Sequence, residues 1–178
     1  MDGTDLALAI ANSARKPDEL GSPAALRAWL AARWRSGNPA SDGVLLRLHD
    51  FRSLRDAVLA ACLRTIERSS LPDGAVEAIN DASALVPMWP ALRTDRSGRT
   101  TADVETTDAS ETNRILASIA RSAIELLGGP DAARLRECLA CGRFFLASRP
   151  RQTWCSDACG NRTRVARHRA GRATAIAR

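Results

Sequence analysis

Apolar residues recur every three or four positions through the middle of the first 130 residues of the chain. This spacing puts them on one face of an α-helix and predicts a single long helix over residues 44–68. The positions on this apolar face are Leu45, Leu48, Phe51, Leu54, Val58, Cys62 and Ile66. Cys62 is therefore expected to be a small buried hydrophobic residue rather than a reactive thiol.

Shorter segments with helical spacing flank this helix. An apolar run covers residues 6–12, and Ser22-Pro23 is typical of an N-cap followed by the first helical position. Further helices are predicted over residues 75–85 and 110–127. In the helix after Ser22, the positions expected to face inward are Leu26, Trp29, Leu30 and Trp34. In the helix over residues 110–127, they are Ile115, Ile119, Ala123 and Leu126.

A different pattern occupies residues 87–105. Two short strand-like segments flank Asp95-Arg96-Ser97-Gly98, which favours a β-hairpin around a glycine-containing turn. Gly128-Gly129-Pro130 ends the last helix and is the best candidate for a domain boundary. The expected fold class is mainly α with a small β-hairpin (α+β), with a helical domain over residues 1–130 and a second unit over residues 131–178.

Composition narrows the classes of protein that the chain can represent. It has 178 residues, of which 45% are hydrophobic and 26% charged, which excludes wholesale disorder. No apolar run approaches the roughly 20 residues of a membrane span. The opening Met1-Asp2-Gly3-Thr4-Asp5 lacks the basic region of a secretory signal, so a cytoplasmic location without a membrane partner is expected.

The two predicted units differ strongly in charge. The whole chain carries a formal charge of +6. Residues 134–178 contain 11 arginines against only Glu137 and Asp157, whereas the first 133 residues carry more acidic than basic groups. Such an asymmetry indicates that the C-terminal segment meets an anionic partner.

Four cysteines in this basic segment have the spacing of zinc ligands. Cys138-x2-Cys141 is followed after thirteen residues by Cys155-x3-Cys159. Gly142 permits the left-handed backbone that a tight metal-binding turn needs, and Ser156 can cap a helix whose first turn contains Cys159. Two disulfides are the alternative, which a reducing compartment disfavours. We expect one structural Zn²⁺, because four thiolates leave no coordination position open for catalysis.

The residues between and after the ligands predict a small folded module. Residues 144–146 suit a short strand, and Trp154 suits a packing anchor, which together give a treble-clef-like zinc module. In the helix that follows, Cys159, Ala166, Ala170 and Ala173 share one narrow face expected to pack on this module. Polar and basic residues occupy the other faces of this helix, and the loop that precedes the helix contributes further arginines. The candidate nucleic-acid-binding residues are Asn161, Arg162, Arg164, Arg167, His168, Arg169, Arg172, Arg149 and Arg151.

These residues predict binding to double-stranded DNA, mainly through arginines that neutralise phosphates. RNA is an alternative, although single-strand readers normally expose stacking aromatic residues, and the few here are needed for packing. Arg162 can either contact DNA or brace the zinc fold, and the sequence does not separate these roles. A protein-interaction adaptor that docks on an acidic protein surface is the second hypothesis. An enzyme is not expected, because no catalytic triad, nucleotide loop or HExxH motif is present.

The C-terminal segment resembles the CGNR zinc finger of bacterial proteins that carry an N-terminal ABATE domain. The resemblance rests on Arg136-x-Cys138-x2-Cys141-Gly142-x-Phe144-Phe145-Leu146, Trp154-Cys155-Ser156, Cys159-Gly160-Asn161-Arg162 and Val165-Ala166-Arg167-x-Arg169. Near the N-terminus, Ala11-Asn12-Ser13 and the segment around Trp29 are similar to the ABATE pattern, whereas Ala9-Ile10 departs from it. The resemblance implies a stress-responsive transcription regulator whose helical domain senses a small-molecule effector. One small module binds DNA weakly, so a homodimer is also expected.

Overall fold

The structure is a computed structural model that describes residues 5–15, 17–34 and 41–176, with side chains through Arg167. It contains seven α-helices and four strands in this part of the chain. Their bounds are α1 Asp5–Asn12, α2 Pro23–Arg33, α3 Asp42–Leu45, α4 Leu48–Glu67, α5 Asp73–Ala84, β1 Met88–Thr94, β2 Thr100–Thr106, α6 Glu111–Gly128, β3 Leu135–Glu137, β4 Phe144–Leu146 and α7 Asp157–Ile176. The predicted mainly α fold with a small hairpin is confirmed.

Helices α1, α4, α5 and α6 pack together around the main core. The expected inward face of α6 is fully buried at Ile115, Ile119, Ala123 and Leu126. Capping follows the sequence, since the Ser110 hydroxyl accepts a hydrogen bond from the amide of Asn113 and so satisfies a free donor in the first turn. Within the described residues, no helix combines the length and the apolar character that a membrane span needs.

The prediction of one helix over residues 44–68 is wrong at its start. The chain forms the short helix α3, turns at Leu46 and Arg47, and begins α4 at Leu48. At this turn the amide of Arg47 bonds to the carbonyl of Val44, three residues back rather than four. The turn lets the adjacent residues Val44 and Leu45 both reach the core, while Leu46 remains 84% exposed.

Strands β1 and β2 form the predicted hairpin, with Met88 opposite Thr106 and Thr94 opposite Thr100. Gly98 in the turn has φ +83°, a left-handed conformation that glycine adopts without strain. The Asp95 carboxylate accepts hydrogen bonds from the Ser97 hydroxyl and from the backbone amides of Arg99 and Ser97, which hold this turn. These bonds, led by that of the Ser97 hydroxyl, lower the Asp95 pKa. The hairpin projects from the helices, and Leu92 is 79% exposed.

Strands β3 and β4 form a second antiparallel hairpin, in which Leu135 lies opposite Leu146 and Glu137 opposite Phe144. The side chains of Leu135 and Phe144 are buried in the same core cluster as α1, α4 and α6. The cysteines lie just beyond this hairpin. The helical body and the cysteine-containing segment therefore share hydrophobic packing and are not joined by a linker alone.

Candidate metal centre and basic surface

The first cysteine pair lies in the tight turn that joins β3 to β4. The amide of Cys138 donates to the carbonyl of Arg143 at 2.8 Å, and the amide of Gly142 donates to the carbonyl of Cys138 at 2.7 Å. Gly142 has φ +70°, the left-handed conformation predicted for this position. This turn brings the Cys138 and Cys141 sulfurs to the same side of the hairpin.

The second cysteine pair lies at the start of α7. The Ser156 hydroxyl accepts a hydrogen bond from the amide of Cys159 at 3.3 Å, which confirms its predicted capping role. The ring of Trp154 packs against Gly160, where an added Cβ would lie 3.4 Å from the ring. The amide of Leu139 donates to the carbonyl of Thr153 at 3.1 Å and joins this segment to the first turn. Both pairs are thus held on one small scaffold.

The four sulfurs converge on a single point. The Sγ atoms of Cys141 and Cys155, and those of Cys155 and Cys159, are each 3.7 Å apart, and all four sulfurs lie within 4.8 Å of one another. Tetrahedral Zn²⁺ with Zn–S bonds of about 2.3 Å requires sulfurs about 3.8 Å apart. A disulfide needs about 2.05 Å, and none of these cysteines is oxidised. The donor set therefore fits one structural zinc ion.

The ionisation of these thiols also favours a cation. Burial raises the pKa of Cys138, but backbone amides led by that of Cys155 outweigh it and lower the pKa to about 6. Burial, followed by the neighbouring thiols, raises the pKa of Cys155 to about 12. The sulfurs are too close together to hold several negative charges in the absence of a counter-ion. Bound Zn²⁺ supplies that charge and crosslinks the β3–β4 turn to α7.

A contact between α1 and β4 was not predicted from the sequence. The side-chain amide of Asn12 donates to the carbonyl of Phe144 at 3.0 Å, and its Oδ1 accepts from the amide of Phe144 at 2.8 Å. Asn12 therefore satisfies both backbone groups of one β4 residue, as a third strand would. The only sequence signal was a polar Asn-Ser pair at the end of an apolar helix. We call this contact the Asn12 clamp.

Arg15 adds a second contact between the helices and the cysteine-containing turn. Its Nη2 lies 3.2 Å from the Glu137 carboxylate, and its guanidinium lies 5.5 Å from the centre of the Phe144 ring. A Cβ added at Gly142 would collide with Nη1 of Arg15. Glycine at position 142 is therefore favoured by its left-handed backbone conformation, and a larger residue would also displace the Arg15 guanidinium.

The predicted nucleic-acid-binding residues with described side chains are all exposed. In α7 these are Asn161, Arg162, Arg164 and Arg167, and in the preceding loop they are Arg149 and Arg151. The Arg164 guanidinium donates to the Asn161 side-chain oxygen. Arg162 makes no side-chain hydrogen bond within the described part of the chain, so no bracing contact to the zinc fold is observed. The side chains of His168, Arg169 and Arg172 lie outside the described set.

The predicted packing face of α7 is only partly correct. Cys159 is buried and Thr163 is half-buried, but Ala166 is exposed. The zinc module has only two short strands and a turn, so it can cover the first two turns of α7 and no more. Ala170 and Ala173 belong to the segment whose side chains are not described. At Ala166 and Arg167, the last residues with described side chains, α7 is exposed.

Ion pairing divides the described arginines into two groups. The ion pairs between described residues involve nine arginines, all at or before Arg134. Within the same residue set, no arginine after Arg134 lies within ion-pairing distance of a carboxylate. The positive charge of the zinc module is therefore available to an external anion.

Cys62 is separate from this chemistry. It is fully buried on the core face of α4, as predicted. Burial raises the pKa of its thiol to about 12, so it stays protonated and unreactive at neutral pH.

The fold and the cysteine cluster define a protein with a helical body and a structural four-cysteine zinc finger. The profile of the ABATE family, described as "Putative stress-induced transcription regulator", matches residues 4–130, and the CGNR zinc finger profile matches residues 134–172. The chain belongs to the ABATE family, and the predicted resemblance is confirmed. Both matches are to regulatory or zinc-finger families rather than to enzymes. No curated protein matches the chain.

Proposed function

We propose that the protein is a transcription regulator that binds duplex DNA through its zinc module. In this proposal, residues 131–178 form the DNA-binding unit and residues 1–130 the regulatory unit. Zinc fixes the start of α7, and the arginines of α7 and of the preceding loop neutralise backbone phosphates. The proposed contacts in α7 are Asn161, Arg162, Arg164, Arg167, His168, Arg169 and Arg172, and those in the loop are Arg149 and Arg151.

One observation supports this proposal most directly. Up to Arg134 many described arginines are neutralised by carboxylates, but none of the described arginines after Arg134 is. Exposed arginines are typical of surfaces that bind phosphates, because a guanidinium can form two parallel hydrogen bonds to one phosphate. The four-thiolate zinc site itself has no open position, so it supports binding rather than catalysis.

Salt-dependent DNA binding tests the proposal. We expect the zinc-loaded protein to bind a fluorescent random duplex, with an affinity that falls steeply as salt rises. Replacing Arg164 and Arg167 with Ala should reduce the slope of log K against log salt by about 0.9 for each phosphate that is no longer neutralised. Arg27→Ala with Arg47→Ala removes the same charge from exposed, ion-paired positions and is the matched control.

The same assay separates the competing functions. An adaptor for acidic proteins would leave the random duplex unbound even at low salt. An RNA-binding protein would prefer single-stranded or duplex RNA over DNA of the same length. Equal slopes for the α7 variant and the control would contradict the contacts proposed for α7. Removal of zinc should abolish DNA binding, because α7 then loses its attachment to the β3–β4 turn.

A cleft supports the proposed sensing of an effector by the helical body. Its volume is about 580 Å³, and it lies between α1, α4 and the cysteine-containing turn. Leu59 and Leu63 provide an apolar wall, and Arg15 and Glu137 provide charged groups. We propose that an amphipathic small molecule binds here, where it would touch both units. A metabolite that raises the melting temperature of the protein, but not that of a Leu63→Arg variant, would support this location.

The homodimer also stays a proposal. Two modules bound to two half-sites would compensate for the weak binding of one module. Light scattering should then give a mass of twice 19.1 kDa, at least in the presence of DNA.

A further inference from the structure

A second basic surface lies away from α7. Two adjoining depressions of about 350 and 290 Å³ share Ala133 and Arg136 in their walls. They run from the C-terminal end of α4, past the turn Pro130–Arg134, to the loop after β4. We call this surface the basic groove. The arginines that line it are Arg68, Arg134, Arg136 and Arg149.

The rest of the groove is small and uncharged. Alanines, a proline and one isoleucine form most of its walls, and Thr65 and Ser148 add hydroxyl groups. Among the described residues, no carboxylate belongs to the lining of either depression. The nearby Asp131 is bound to Arg134 at 2.7 Å, so one of the four guanidinium groups is already partly neutralised. The groove therefore carries excess positive charge in a concave site.

Arg136 is held in place before any ligand arrives. Its Nη1 donates to the carbonyls of Ala133 and Leu135, at 2.9 and 2.7 Å. Its other guanidinium nitrogens make no hydrogen bond to a described residue. A guanidinium fixed in this way loses little side-chain entropy when it binds an anion. Arg68 and Arg149 lie on either side of it with exposed side chains.

We infer that the basic groove is a phosphate-binding site that, when DNA is bound, contacts backbone phosphates beside those reached by α7. The contact with DNA rests on the proposed function, whereas the binding of phosphate does not. Phosphate suits the groove because arginine forks bind it in a bidentate manner and no carboxylate competes inside. The amide of Leu139 also holds the intervening loop at Thr153, so the groove keeps a fixed position relative to the zinc module.

The distance between the two surfaces suits a single duplex. Five residues lie between Arg149 and Cys155, so the Cα atoms of these two residues are at most about 22 Å apart. One turn of B-DNA is about 34 Å long. The Arg149 end of the groove and the start of α7 can therefore meet phosphates within one turn of the same duplex.

The first experiment measures salt dependence in the full-length, zinc-loaded protein. Arg68→Gln with Arg149→Gln removes two exposed guanidinium groups and leaves the hydrogen bonds of Arg136 to the backbone intact. We expect the slope of log K against log salt to fall by about 1.8, at about 0.9 per phosphate, and Arg68→Gln alone, at a position outside the contacts of the proposed function, to account for about half of this decrease. Combined with the α7 substitutions, the decrease should approach twice that value. A slope equal to that of the Arg27→Gln, Arg47→Gln control would overturn the inference.

A second experiment separates the groove from the proposed function. Titration with inorganic tripolyphosphate at low salt should show binding that weakens at least fivefold in the groove variant but not in the control. If the protein ignores duplex DNA yet shows this pattern, the DNA-binding function fails and the groove stands as a site for free phosphate compounds. If the groove variant binds tripolyphosphate as the wild type does, the groove is not a phosphate site. Zinc content and circular dichroism verify that each variant is folded.

Discussion

The Asn12 clamp gives the sharpest test of how the two parts of the chain are joined. Asn12→Ala removes both hydrogen bonds to the backbone of Phe144, a residue that is only 3% exposed. Each hydrogen bond removed costs about 0.5–1.5 kcal/mol, and a buried backbone group left without a partner costs about 1–3 kcal/mol. Water reaches the half-buried Asn12 position and recovers part of this free energy. We therefore expect a destabilisation of about 2–4 kcal/mol, a large fraction of the total for a domain of this kind.

Urea unfolding of the zinc-loaded protein measures this destabilisation directly, with the midpoint and slope fitted separately. The transfer of zinc to a chelator should also accelerate, because β4 carries one end of the cysteine-containing turn. Asn80→Ala on the exposed face of α5 is the matched control and should change stability by less than about 0.5 kcal/mol. If Asn12→Ala matched this control in both assays, the clamp would not hold the zinc module to the helices.

Two further predictions concern single positions. Gly142→Ala should destabilise the protein by about 1–3 kcal/mol and weaken zinc retention, because alanine would have to adopt a left-handed backbone and would displace the Arg15 guanidinium. Gly43→Ala, with open space around it, should be tolerated. Melting temperatures compare the two variants. For Cys62, the folded-state pKa of about 12 lies above the ordinary value of 9.0, so its contribution to stability is present below pH 9 and is lost as pH rises toward 12. Cys62→Ala should flatten this alkaline decline in urea titrations, and an unchanged decline would contradict the assignment.

The sequence was sufficient for features that depend on local spacing. The inward face of α6 follows from a period of 3.6, and the hairpin around Gly98 follows from two strand-like segments that flank a glycine-containing turn. The zinc site follows from the same kind of information. Two close cysteine pairs, each on a tight turn or a helix start, can meet at one metal whatever the rest of the fold does.

Features set by distant contacts could not be obtained in this way. The break at Leu46 and Arg47 lies inside a continuous helical pattern, and the turn leaves Leu46 exposed while Val44 and Leu45 are buried in the core. Periodicity shows which residues are apolar, but it does not show how neighbouring helices pack against them. The exposure of Ala166 has a similar origin. The length of α7 that is covered depends on the size of the zinc module, and the residue pattern of α7 carries no information about that size.

The Asn12 clamp is the extreme case, since it joins residues 132 positions apart. It also limits how strongly the helical body can regulate the zinc module. An effector shifts an equilibrium only by its differential affinity for two states, and the coupling cannot exceed what the connecting contacts carry. If the clamp carries about 2 kcal/mol, an effector that acts through it can change DNA affinity about 30-fold, since 1.4 kcal/mol is about tenfold. A larger measured change would require further routes, and the fold provides the contacts of Arg15 with Glu137 and Phe144 and the packing of Leu135 and Phe144 in the helical core.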